Sequence, residues 1–282
     1  GQYTEPLLNP YLFHFVKAIK RQGSYFGIHT NGSLFKSLDV KNNFLMNLCK
    51  ESDSSNDFIT CSLDAGFAES HMHTKGLKTN WFDSILFGLE RLIEAREGRE
   101  FPSVRVTYLM NEQNCSPDEI KNVVSMMRKI EPDSLRFSIP YDYYGNSLDK
   151  TKEYKRKVEL KYEQKYHDLV SPYLSNNSEK PYIYWMSPEY QDIDSMNYKV
   201  CIDGYYQICL GADGWFYKCT SAAAADFKLC RLGEVTDDLD EFENIIRKNQ
   251  SQDWSPSTCF KQGIRCSRMA LEINSRWNDR NV

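Results

Sequence analysis

The sequence predicts an α/β protein: a parallel sheet made of strand–helix repeats, followed by a smaller cysteine-rich module. Three observations predict it. Over residues 1–140, short runs of β-branched and aromatic residues alternate with stretches of helical apolar period, the pattern of parallel βαβ units. Polar residues follow each strand at its C-terminal end, namely Thr30-Asn31, Asp64, Asn111 and Tyr141-Asp142, and in α/β folds that rim carries ligands. Finally, the cysteines are uneven. Cys49, Cys61 and Cys115 are scattered, whereas Cys201, Cys209, Cys219, Cys230, Cys259 and Cys266 crowd the C-terminal end.

The elements follow in order. Asn9-Pro10 reads as a helix cap with proline at the first helical position. Leu12, Val16 and Ile19 fall on one face of that helix, and Gly23 ends it. Tyr25 to His29 is a buried strand stopped by Thr30-Asn31-Gly32. Leu34, Leu38, Phe44, Leu45 and Leu48 supply a helical stretch, and Phe58 to Leu63 is strand again. Trp81, Ile85, Leu89, Leu92 and Ile93 mark a helix, and Val104 to Leu109 a third strand. Ser116-Pro117-Asp118-Glu119 is a capping box that opens a helix carrying Ile120, Val123, Val124, Met127 and Ile130. Leu135 to Ile139 is the fourth strand. This part is a barrel or an open doubly wound sheet.

Residues 148–170 mix lysines with acids around Tyr154, Val158, Tyr162 and Tyr166, the pattern of a solvated amphipathic helix or a docking surface for an acidic partner. Residues 171–180 are linker-like, which sets the domains at 1–180 and 181–282. Tyr182 to Tyr184 suits another strand. Tyr205 to Leu210 and Trp215 to Tyr217 flank Gly211-Ala212-Asp213-Gly214 as a β-hairpin. Leu239, Phe242, Ile245 and Ile246 suit a short helix.

Composition excludes several classes. The chain is 41% apolar and 26% charged, which is globular rather than disordered. A net charge of −4 and the lack of a basic-aromatic face argue against a nucleic-acid partner. No apolar run approaches the roughly 20 residues of a membrane helix, and the first residues lack the basic-then-apolar pattern of a secretory leader. A chain of 282 residues buries a core without disulfide staples, so reduced thiols or a metal site are expected.

Cys201 precedes the hairpin and Cys219 closes it, so their thiols can share one centre. Cys259 and Cys266 flank a loop containing Gly263 and can close onto the same centre. Four thiolates suit tetrahedral zinc or an iron–sulfur cluster, and spacing does not separate the two. Lys218, Lys261 and Arg265 would favour the thiolate form. Cys209 is a further candidate ligand, and Cys230 a candidate core residue.

The pattern resembles radical S-adenosylmethionine (SAM) enzymes with a C-terminal auxiliary-cluster module of the SPASM or twitch type. Cys201, Gly214, Cys219 and Leu232-Gly233-Glu234-Val235 match the spacing of that module's cysteine–glycine–cysteine element and its following strand. Glu5-Pro6 looks like the family's Gly-Glu-Pro segment, His29-Thr30-Asn31-Gly32 like its third strand end, and Ser62-Leu63-Asp64-Ala65 with Glu69, His71 and Gly76 like its fourth-strand motif. With only Cys259 and Cys266 near the end, the module is similar to the one-cluster twitch variant.

The resemblance implies a partial (β/α)6 TIM-like barrel. It places Thr4 and Glu5 at the methionyl amine of SAM, Asn31 and Ser62 near its carboxylate and ribose, and Asp64 beside that pocket. It implies an auxiliary [4Fe–4S] cluster on Cys201, Cys219, Cys259 and Cys266. The family's first-strand Cys-x3-Cys-x2-Cys, which holds the SAM-cleaving cluster, is absent from this sequence, as is the first βα unit. A fragment, one half of a split enzyme or a degenerate relative would each explain this. The expectation is a reading frame extending roughly 50–100 residues upstream, about one or two βα units, with three close cysteines.

The implied activity is hydrogen-atom abstraction by a 5′-deoxyadenosyl radical, in an oxidation, cross-link or rearrangement of a peptide, a protein or a small polar metabolite. Tyr141, Asp142, Tyr143, Asn111, Cys115 and Trp215 are candidate substrate contacts. An electron donor such as flavodoxin or ferredoxin is implied, and oxygen-sensitive clusters point to the cytoplasm. The alternative class is a non-catalytic scaffold whose four cysteines hold structural zinc.

Overall fold

The computed structural model describes residues 4–139, 163–175, 179–186, 207–219, 223 and 231–251. The chain divides into two compact units, Glu5–Pro188 and Glu189–Val282 with Gln2–Thr4. Each is described by itself.

The larger unit is built on a five-stranded parallel sheet: β1 (Gly27–Thr30), β2 (Phe58–Ser62), β3 (Ser103–Leu109), β4 (Ser134–Ser138) and β5 (Tyr182–Trp185). Spatial order equals sequence order. Right-handed crossovers that all step the same way put their helices on one face of the sheet. The winding is therefore barrel-like, with no reversal point, and this decides between the two architectures the sequence allowed.

Alternate strand residues divide accordingly. Ile28, Ile59, Cys61, Val104, Val106, Tyr108, Leu135, Phe137 and Ile183 join a core with residues of α1 (Leu12–Arg21), α3 (Phe44–Glu51), α5 (Phe82–Ala95) and α6 (Pro117–Ile130). The intervening residues, among them His29, Thr60, Arg105, Thr107, Arg136 and Tyr184, form a polar face.

Several local details differ from the sequence reading. The first helix starts after Pro10: Asn9 Oδ1 accepts from Tyr11 N–H at 2.9 Å, so the asparagine makes an isolated turn, and Pro6–Leu8 forms a single 3-10 turn before it. The Leu34–Leu48 stretch breaks into α2 (Phe35–Asn42) and α3 because Asn43 takes a left-handed backbone at φ 49°. An additional helix, α4 (Ala68–Lys75), lies in a segment with no apolar period. Residues 163–170 form α7, with Tyr166 and Val170 buried in the core.

The N-terminal ends of the strands are tied by fully engaged carboxylates. Asp57, wholly buried, accepts from Phe26 N–H at 3.0 Å, Ser52 Oγ at 3.0 Å, Asp53 N–H at 3.2 Å and Lys20 Nζ at 2.9 Å. Burial alone would raise its pKa, and these donors more than offset that, holding it below the usual carboxylate value. Asp133 likewise accepts from Arg96 and from Val104 N–H at 2.7 Å.

In the smaller unit, β6 (Cys209–Leu210), β7 (Trp215–Tyr217) and β8 (Arg231–Glu234) form an antiparallel sheet beside α8 (Leu239–Ser251). The hairpin turns at Gly214, φ 79°. Asp213 locks it by accepting from Tyr217 Oη and Arg231 Nη2, both at 2.6 Å.

Candidate functional site

The rim at the C-terminal ends of β1 and β2 gathers two carboxylate-centred clusters. The first is built on Glu5, in the loop before the 3-10 turn. Its Oε1 accepts from Leu7 N–H at 3.0 Å and Thr30 Oγ1 at 2.6 Å, and its Oε2 from Asn31 N–H at 2.8 Å. The Glu5 carboxylate thus closes off the end of β1. A carboxylate has about four acceptor positions, and the three bonds leave room for one more donor. The side chain of Asn31 is exposed and bonds Ser33 N–H through Oδ1 at 2.9 Å.

The second cluster follows β2. Asp64 has a left-handed backbone, φ 54°, which turns its carboxylate back across the sheet end. Oδ1 accepts from Leu109 N–H at 2.7 Å, extending the β2–β3 ladder through a side chain. Oδ2 accepts from Ser62 Oγ at 2.7 Å and pairs with Lys75 Nζ from the last turn of α4. Lys75 also reaches Ser62 Oγ at 3.2 Å. Asp64 is buried, whereas the Lys75 side chain is 26% exposed and is the accessible cation of the group.

Adjacent parallel strands carry the two clusters, with Thr30 and Cys61 in register. The Cys61 thiol lies buried among them. Burial pushes its pKa well up, and it senses the charges of Lys75, Asp64 and Glu5. It stays a thiol and acts as packing.

A supporting layer holds the second cluster. Asn114 Nδ2 donates to the Asp64 and Leu109 carbonyls, both at 2.8 Å. Glu119 accepts from Gly66 N–H and from Tyr108 Oη, the latter at 3.4 Å. The expected capping box is therefore half formed: Ser116 Oγ accepts from Glu119 N–H at 3.2 Å, but the Glu119 carboxylate is turned to the β2 loop. Gly66 is required here, since a Cβ would stand 2.4 Å from the Glu119 carbonyl oxygen. His71, buried on α4, has Nδ1 without a partner. Burial and then the Lys75 charge lower its pKa, so it is neutral at pH 7.

The structure thus brings together four of the five residues expected to hold a cofactor: Glu5, Asn31, Ser62 and Asp64. Thr4 is exposed. Lys75, Asn114 and Glu119 were missed. Lys75 carries no local sequence signal, since its partners Asp64 and Ser62 precede its helix. Asn111 is half-buried, with its backbone N–H on Asn114 Oδ1 at 2.7 Å, and Cys115 packs against the core. Tyr141, Asp142 and Tyr143 lie outside the described residues.

Of the expected metal ligands, Cys201, Cys259 and Cys266 also lie outside the described residues. Cys219 follows β7, and Cys209 stands opposite Tyr217 on β6; both pack against the buried Tyr217 ring. Among the described residues no three cysteine, histidine or acidic side chains are grouped to hold a metal. Trp215 lies under the Arg231 guanidinium, 4.7 Å from the ring centroid.

The clusters suit a zwitterionic cation. The two clusters together hold two carboxylates, Glu5 and Asp64, and one ammonium, Lys75, which pairs with Asp64. Glu5 has an acceptor position left, and Lys75 a donor left after Asp64 and Ser62.

No protein-family model matches the sequence, and no curated protein matches it. Solved structures do. Streptococcus suis SuiB bound to S-adenosylmethionine is 16% identical with a TM-score of 0.52, covering 92% of this chain and 59% of SuiB. A domain of a pyruvate-formate lyase-activating enzyme from Bacteroides vulgatus ATCC 8482 is 16% identical with a TM-score of 0.42, covering 65% of this chain and 94% of that domain. TYW1 with a lysine-pyruvate adduct is 18% identical with a TM-score of 0.38, covering 58% of this chain and 47% of TYW1. The SuiB likeness establishes a shared fold, the partial TIM-like barrel.

Proposed function

We propose that this chain is a radical SAM enzyme that removes a hydrogen atom from a peptide or a small polar metabolite. The observation that carries the reading is the pair of clusters around Cys61, at the ends of two adjacent strands, in a fold shared with a SAM-bound enzyme. When bound, SAM and a reducing iron–sulfur cluster supply a 5′-deoxyadenosyl radical. The chain's own residues bind and orient. Glu5 accepts from the methionyl ammonium. Lys75, fixed by Asp64 and by Ser62 Oγ, donates its remaining N–H to the methionyl carboxylate, while Ser62 spends its single O–H on Asp64. Asn31 reaches the carboxylate or ribose. Cys201, Cys219, Cys259 and Cys266 hold an auxiliary [4Fe–4S] cluster, and the three cysteines of the SAM-cleaving cluster come from a segment outside this sequence. Electrons come from a flavodoxin- or ferredoxin-type donor.

The test is to purify the protein from its full reading frame without oxygen, supply reductant and SAM, and look for 5′-deoxyadenosine. Turnover is expected, with about four irons and four sulfides per all-cysteine cluster. About one zinc per chain, no iron and no 5′-deoxyadenosine would replace the enzyme with a zinc-stapled scaffold.

A further inference from the structure

The polar face of the five-stranded sheet carries two guanidiniums and no carboxylate. Register places Ser62, Thr107, Arg136 and Tyr184 in one layer across β2 to β5. Arg105 lies one layer deeper, level with Thr60 and Ser134. No aspartate or glutamate occupies any strand position of this face.

Arg136 has no carboxylate partner among the described residues, and its Nε is buried without an acceptor. Arg105 lies over the Phe58 ring, 4.3 Å from the centroid, and spends one donor on Ser103 Oγ at 3.2 Å. A guanidinium carries five donors, so most of its capacity is unused. Phe58 forms the floor, with His29 edge-on to it at 5.3 Å between centroids. Gly27 makes room for that ring, because a Cβ would meet Phe58 Cζ at 2.3 Å. A partly buried guanidinium without a counter-charge is costly, and two on one face call for an anion.

We infer that this face is a binding site for an oxyanion, a carboxylate or phosphate group, gripped by Arg136 and Arg105. Arg136 is two strands from Ser62, about 10 Å at the usual strand spacing. An anionic group held there would place the rest of its molecule next to the Glu5 and Asp64 clusters. That the occupant is the substrate rests on the function proposed above; the anion site itself does not.

His29 supplies the readout. His29 is exposed at its strand position; partial desolvation lowers its pKa, and nearby positive charges, Arg136 and Arg105 among them, lower it further. A bound anion reverses that effect. The experiment is an NMR titration of the histidine resonances with inorganic phosphate and, separately, acetate, at constant ionic strength.

The expected result is a saturable shift of the His29 resonance and a rise in its pKa. Saturation by phosphate alone assigns a phosphate group, by acetate alone a carboxylate, and by both a general oxyanion site. Arg136→Gln weakens binding about tenfold or more. Arg136→Lys, which keeps the charge but loses the fork, falls between. Exposed Lys121→Gln changes nothing. If Arg136→Gln does not fold, Arg136→Lys and Arg105→Gln decide. No saturable shift with either anion, or unchanged affinity in the arginine variants, overturns the site. Anion binding without 5′-deoxyadenosine formation overturns the enzyme reading alone, and turnover without anion binding overturns this site alone.

Discussion

The two faces of the five-stranded sheet present different chemistry, one apolar and packed against helices, the other polar. On the helix-covered face, Ile59, Val104, Val106, Leu135 and Phe137 are almost wholly excluded from solvent. On the other, β1 to β4 present His29, Ser62, Arg105 and Arg136. Strands of parallel sheets covered on both faces read as continuous apolar runs. Here they alternate, as in Val104-Arg105-Val106-Thr107 and Leu135-Arg136-Phe137-Ser138. The period of two therefore marks a face whose side chains are polar, opposite the one packed against the helices.

The largest effect should come from breaking the apolar face. Phe137→Ala should cost about 3–5 kcal/mol, as expected for a buried aromatic. Thr107→Ser on the polar face removes one methyl and should cost about 1 kcal/mol. Urea unfolding of both variants checks this. A loss for Phe137→Ala no larger than that for Thr107→Ser would contradict the burial of the Phe137 ring.

The fold was legible because its main signals are periodic. Apolar residues at helical spacing located α5 and α6, and β-branched runs located β2, β3 and β4 within a residue or two. What was missed lacks a period. α4 reads Ala-Glu-Ser-His-Met-His-Thr-Lys and buries only His71, so it has no apolar stripe to detect. The break at Asn43 depends on one left-handed residue between two apolar stretches. The half-formed capping box is a tertiary effect: Glu119 has a better use at Gly66 and Tyr108 than at its own helix end. Strand-end residues of the site, Thr30-Asn31 and Asp64, were visible as polar punctuation after apolar runs. Lys75 was not, because its partner Asp64 lies a whole loop and helix away.

A smaller effect separates the histidines of the two environments. His29 belongs to the polar face and His71 to the buried side of α4, and both have lowered pKa values. The unfolded chain binds protons near pH 6.5 that the folded protein refuses, so stability is full above that pH and falls as pH drops through and below it. His71→Gln should flatten this slope by up to about 1.4 kcal/mol per pH unit, and His29 should retain the remainder. Thermal unfolding between pH 5 and 8 measures it. Phosphate should restore acid stability through His29 and leave the His71 contribution unchanged. An unaltered slope in His71→Gln would remove His71 from this account.

The most direct measurement is SAM binding by calorimetry to the cluster-loaded protein purified from its full reading frame, beside Glu5→Gln and Lys75→Gln. Saturable binding, weakened about tenfold or more in each variant through loss of a charged hydrogen bond, is the predicted result. Binding that ignores both substitutions, or no binding by the folded, cluster-loaded wild-type protein, would contradict the assignment of the β1–β2 rim as the SAM site.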